Sequence, residues 1–82
     1  GRKKAMKALV DKTAENIGDP AGKHLILLHG DVRDEAEMLK RQLLNRLPDL
    51  GEVRVQMIGP VIGAHAGPGT LAICFIGNER QI

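Results

Sequence analysis

His24-Leu25-Ile26-Leu27-Leu28-His29-Gly30-Asp31 decides the fold of this 82-residue chain. The aliphatic run Leu25 to Leu28 is too short for a helix of its own and is bounded by polar and turn residues. It reads as a strand covered on both faces, as in a parallel sheet. His29-Gly30-Asp31 is the turn out of it. Asp31 is placed to cap the helix that follows, and Asp34 and Glu35 complement the positive end of that helix.

That second helix spans about 32–46. Ala36, Leu39, Leu43 and Leu47 recur at helical spacing, with Leu44 beside them. Glu37 and Arg41 are four apart in the better orientation for an exposed pair. Pro48 and Gly51 end the helix. Residues 52–58 then alternate, with Val53, Val55 and Met57 on one side and Arg54 and Gln56 on the other. This is the pattern of a half-exposed strand near a sheet edge. Strand, helix, strand in that order implies a parallel crossover. Leu71 to Ile76 is again almost wholly apolar and reads as an interior strand, with Cys74 as buried filler. Upstream, 3–17 reads as a helix with the stripe Met6, Leu9, Val10, Thr13, Ala14 and Ile17. Lys7 and Asp11 form a weak pair, and Gly18 and Pro20 end the helix. No capping residue precedes it, as truncation of a longer chain would leave. The fold expected is α/β, a small open sandwich with a mixed, partly parallel sheet, in a single domain over 1–82.

Between the last two strands lies Gly59-Pro60-Val61-Ile62-Gly63-Ala64-His65-Ala66-Gly67-Pro68-Gly69-Thr70. Pro60 suits a first helical turn, and Gly67-Pro68 suits a helix end, so 60–66 reads as a short helical segment. His65 falls in its last turn, where the imidazolium is favoured. Gly67 and Gly69 leave backbone N–H groups open to close approach. On the residues alone, a plain turn with His65 bonded to a carbonyl accounts for the stretch more readily than a binding corner does. If the strands flanking the crossover are parallel, the His29 turn and the His65 corner share one rim, where open α/β sheets hold ligands.

Composition removes several classes of function. Phe75 is the sole aromatic residue, which argues against stacking on single-stranded nucleic acid. The net charge of +2 is weak. Arg2, Lys3, Lys4 and Lys7 fit a solvated helix face better than a phosphate contact. There is no serine, and Cys74 lies in an apolar run, so no nucleophilic triad is visible. His24, His29 and His65 match no metal spacing, and the glycines match neither the Walker loop nor the dinucleotide fingerprint. No metal or cofactor is expected. With no signal peptide and no apolar run of membrane length, a cytoplasmic protein is the simplest reading.

The segment 57–75, with its core Ile58-Gly59-Pro60-Val61-Ile62-Gly63-Ala64-His65-Ala66-Gly67-Pro68-Gly69, closely resembles the C-terminal region of the DegV family, whose pattern is roughly I-G-P-V-I-G-T-H-x-G-P-G. Arg2-Lys3-Lys4-Ala5 resembles the end of that family's R-x-R-K-K-A helix start. The stretch from Leu27 through Leu39 resembles its strand, His-x-Asp turn and helix. The resemblance implies the later part of the second of two α/β domains, with the N-terminal domain absent. It implies a protein that binds one long-chain fatty acid and presents the acyl carboxylate to a separate ATP-dependent fatty-acid kinase subunit, not catalytic alone.

By the same resemblance, His65 hydrogen-bonds the carboxylate or the acyl phosphate. Gly63, Gly67 and Gly69 shape the corner, Ile62 lines the start of the acyl tunnel, and Arg2 lies at the mouth of the site or on the face that meets the kinase subunit. Ala64 stands where the family often has threonine, which removes a hydroxyl beside the histidine. His29 is assigned a structural role. Two other readings stay open. One is a docking or structural domain at the C-terminus of a dihydroxyacetone-kinase-like protein, and the other is a phosphate site on the Gly67 to Thr70 amides. An incomplete sheet also leaves an edge with which a second copy could pair as a homodimer.

Overall fold

A computed structural model describes residues 2–58 and 69–76. The order is α1 (Arg2–Asn16), β1 (His24–His29), α2 (Arg33–Arg46), β2 (Val53–Met57) and β3 (Leu71–Ile76). The sheet runs β2-β1-β3, with β1 parallel to β2 and antiparallel to β3. This is the mixed, open α/β arrangement expected from the sequence. The expected short helix at 60–66 and the tail at 77–82 lie outside the described residues.

The helices pack on one face of the sheet. Met6 and Val10 of α1 and Leu39 and Leu43 of α2 meet Leu25 and Leu27 of β1 and Val53 of β2. Leu25, Leu27, Leu39 and Leu43 are wholly buried, and each such side chain contributes about 1.5–3 kcal/mol by leaving water. Thr13 is buried in the α1 stripe because its hydroxyl donates to the Leu9 carbonyl at 2.7 Å. Beyond α1, Gly18 takes a positive φ of 72°, and the Lys23 ammonium donates to the Ile17 carbonyl at 2.6 Å. A cation there meets the negative end of the helix.

Several expectations need correction. The strand at β1 is not covered on both faces, since no described helix lies over the face of Ile26 and Leu28, which are half-buried. The segment read as an interior strand, β3, has only β1 as a neighbour among the described residues. Cys74 is exposed, with Phe75 52% and Ile76 40% accessible. The apolar run signalled burial, but the helices stop short of that end of β3. Met57, placed with Val53 and Val55 by alternation, is 62% exposed at the opposite end of the sheet, beside His29.

Asp31 does not cap α2. It takes a φ of 59°, and the residue at the cap is Val32, which makes no side-chain cap bond. Aspartate tolerates the left-handed region in turns. Glu37 pairs with Arg33 at 3.6 Å, one turn earlier than the Arg41 expected. Lys7 and Asp11 are 3.9 Å apart, but Asp11 receives a closer bond from Arg46 of α2 at 2.7 Å.

Candidate functional site

The candidate site is the rim where β1 and β2 end together. Their register sets His29 opposite Met57, so the His29 turn and the exit of β2 are neighbours, as a parallel pair requires. Both borders of the stretch 59–68 are tied to one short piece of backbone. The Ile58 N–H donates to the His29 carbonyl at 2.8 Å. The Gly69 N–H donates to the Gly30 carbonyl at 2.7 Å, and the Gly30 N–H returns to the Thr70 carbonyl at 2.9 Å. His29-Gly30 is thus the platform from which the corner leaves and to which it returns.

Gly69 is needed for its backbone: φ is +85°, where a side chain is strained although a Cβ would meet nothing closer than the Arg2 guanidinium at 4.0 Å. Its amide, read from sequence as open to a ligand, is already engaged by Gly30.

Arg2 comes to this rim from the start of α1. Its Nη2 donates to the Gly69 carbonyl and to Glu35 Oε1 at 2.8 Å, and its Nε lies 3.1 Å from both Glu35 oxygens. The fork geometry suits a carboxylate. The Glu35 hydrogen bond, against some desolvation and with help from its charge, raises the Arg2 pKa above its ordinary value. The first turns of both helices and the return of the corner are therefore joined by one guanidinium. Sequence reasoning gave Glu35 only a dipole role. No local signal could have found its partner, which lies 33 positions away. Of the candidate residues, Arg2 and Gly69 are brought together. Ile62, Gly63, His65 and Gly67, along with Ala64, lie outside the described residues.

His29 is the other feature of the rim. It is 1% exposed, on the inner face with Leu25 and Leu27. Its Nδ1 accepts the Val32 N–H at 3.1 Å. A nitrogen that accepts must carry the lone pair, so the ring proton sits on Nε2. No described group accepts that proton. An unmade buried donor costs about 1–3 kcal/mol, so this nitrogen calls for an explanation.

The described rim thus offers a cation held by a carboxylate, engaged backbone amides and a buried imidazole donor. That set can fix and orient a polar group but has no nucleophile poised beside a base. Among the described residues no cluster of histidine, cysteine or acidic side chains could hold a metal. No described helix is long and apolar enough to cross a membrane.

Comparison with known proteins finds relatives along nearly the whole chain. A family model described as "uncharacterised protein, DegV family" matches residues 1–78. A DegV domain-containing protein of Clostridium perfringens is 33% identical over 81 residues, covering 99% of this chain and 28% of the relative. Another from Streptococcus pyogenes is 36% identical over 81 residues, covering 99% of this chain and 27% of the relative. One from Staphylococcus aureus is 27% identical over 81 residues, with 99% and 28% covered. The chain therefore spans little more than a quarter of the length of these relatives. With the motif around His65, the Arg2 helix start and a matching family model over nearly every residue, the chain belongs to the DegV family.

Proposed function

We propose that this chain forms part of a lipid-binding protein that holds a long-chain fatty acid by its carboxylate at the His65 corner. In this reading the protein presents that carboxylate to a separate ATP-dependent kinase subunit and is not itself a catalyst. Family membership supports the reading. The observation that carries it is the Arg2 guanidinium on the Gly69 carbonyl. It joins two parts of the family pattern, 67 positions apart, at the rim where an open α/β sheet offers its ligand site. The roles of Gly63, Gly67 and Gly69 are to shape the corner, and that of Ile62 is to start the apolar lining.

Arg2 acts in this scheme by holding the corner, since Glu35 already occupies most of its fork. The phosphate reading is weakened, because the Gly69 amide it needs donates to Gly30.

The test is native mass spectrometry of the full-length protein containing this chain, with lipid extraction under denaturing conditions, beside a His65→Ala variant. The expected result is a co-purified fatty acid that is lost or much reduced in the variant. An empty protein that also takes up no added fatty acid would overturn lipid binding and favour a docking domain. Lipid held equally by the variant would remove His65 from the site.

A further inference from the structure

We propose that His29 is a second imidazole of the acid site, its Nε2–H donating to the carboxyl end of the bound fatty acid. This inference rests on the lipid-binding reading above and adds a residue to which that reading assigned only a structural role. His29 is 1% exposed, and Val32 fixes its tautomer by donating to Nδ1 at 3.1 Å. The proton on Nε2 has no acceptor among the described residues. The backbone carbonyls that tie the corner, and the Glu35 carboxylate, each already accept a bond. The His29 carbonyl takes Ile58, the Gly30 carbonyl takes Gly69, and the Thr70 carbonyl takes Gly30. The Gly69 carbonyl and the Glu35 carboxylate take Arg2.

Leu25 and Leu27, on the same strand face, are wholly buried, so this side of the sheet is dry. A fixed donor in dry surroundings is matched by a group that only accepts, and an ionised carboxylate is that group. The ring stands at the C-terminal end of a central strand, beside the crossing to β2, where ligands of open α/β sheets collect.

The experiment uses the full-length protein, labelled with ¹⁵N-histidine, stripped of lipid and reloaded with palmitate. Long-range ¹H–¹⁵N correlation reads the tautomer of each ring, and the His29 signals are those missing from a His29→Asn variant. We expect Nδ1 to be the accepting nitrogen before and after loading, and the Nε2–H proton to move downfield on loading. His29→Asn keeps an oxygen that can accept from Val32 but deletes the Nε2 donor. It should weaken palmitate binding about tenfold or more, as loss of a hydrogen bond to a charged group does.

Loading that leaves the His29 nitrogens unmoved would overturn the proposal, as would a folded His29→Asn protein whose palmitate affinity stays within about twofold of the parent. Failure of the full-length protein to bind palmitate at all would overturn the lipid-binding reading along with it. Binding with a silent His29 would remove this inference alone. Should the variant not fold, sequential backbone assignment of the unmodified protein identifies the His29 ring, and its shift on loading decides the matter.

Discussion

The two ends of β1 carry the same side chain in the same kind of bond. His24 Nδ1 accepts the Glu52 N–H at 2.8 Å, and His29 Nδ1 accepts the Val32 N–H at 3.1 Å. Burial separates them. His24 is exposed, so water can serve its second nitrogen, whereas His29 is sealed and its second nitrogen finds no described partner. The surroundings differ in the same sense. At the His24 end the backbone is closed: Gly22 donates to Asp49, Leu25 to Glu52 and Gly51 to Lys23. At the His29 end the same economy of bonds holds the borders of a glycine-rich stretch. One end finishes a sheet, and the other frames the candidate site.

Replacing each histidine by alanine should break the likeness most sharply. His29→Ala removes a buried ring and orphans the Val32 N–H, and is expected to cost about 3 kcal/mol. His24→Ala should cost about 1 kcal/mol or less, because water can reach the Glu52 amide. Urea unfolding curves of the two variants measure the difference, and equal costs would mean that burial is not what distinguishes the two ends.

The glycines sharpen the contrast at a smaller scale. A Cβ on Gly51 would sit 2.8 Å from His24 Cε1, 2.9 Å from its Nδ1 and 3.0 Å from the Gly22 carbonyl oxygen. Gly51→Ala should cost about 1–3 kcal/mol by overpacking, and a His24→Ala background should recover part of that. Gly69→Ala meets no such clash, so its cost of about 1–2 kcal/mol comes from the positive φ. Trimming Arg2 should recover none of it. A double-mutant comparison by chemical denaturation separates the two mechanisms.

The smallest effects belong to the two ion pairs between the helices. Breaking Asp11–Arg46, 2.7 Å apart and half-exposed, should cost about 0.2–1 kcal/mol and leave the rim unchanged. Glu35→Gln should free Arg2 from its fork and speed hydrogen exchange of the Gly69 amide, while Asp11→Asn should not. Exchange rates that do not tell these variants apart would show that Arg2 does not hold the corner.

Much of this protein was legible in the residues. Aliphatic periodicity placed both helices and all the described strands, because a stripe at three- and four-residue spacing or a short apolar run can be buried in few ways. The crossover pattern placed the His29 turn beside the exit of β2. Local chemistry failed where partners are distant. An apolar run such as Leu71 to Ile76 states a preference for burial but cannot say which neighbours arrive, and among the described residues β3 has only β1 beside it. Asp31 had the right type and place for a cap, yet the turn took it into the left-handed region. Glu35 and Arg2 are each ordinary helix-start residues, and they form a pair only because α1 and α2 pack side by side. His29 carried no sign in the sequence of which nitrogen would be left over. The sequence by itself determined element types, their order and the family motif, since these rest on neighbours within a turn or two. Tertiary structure alone decided which polar atoms meet, and that His29 Nε2 is left dry without a partner among the described residues, because that depends on groups the chain brings together from far apart.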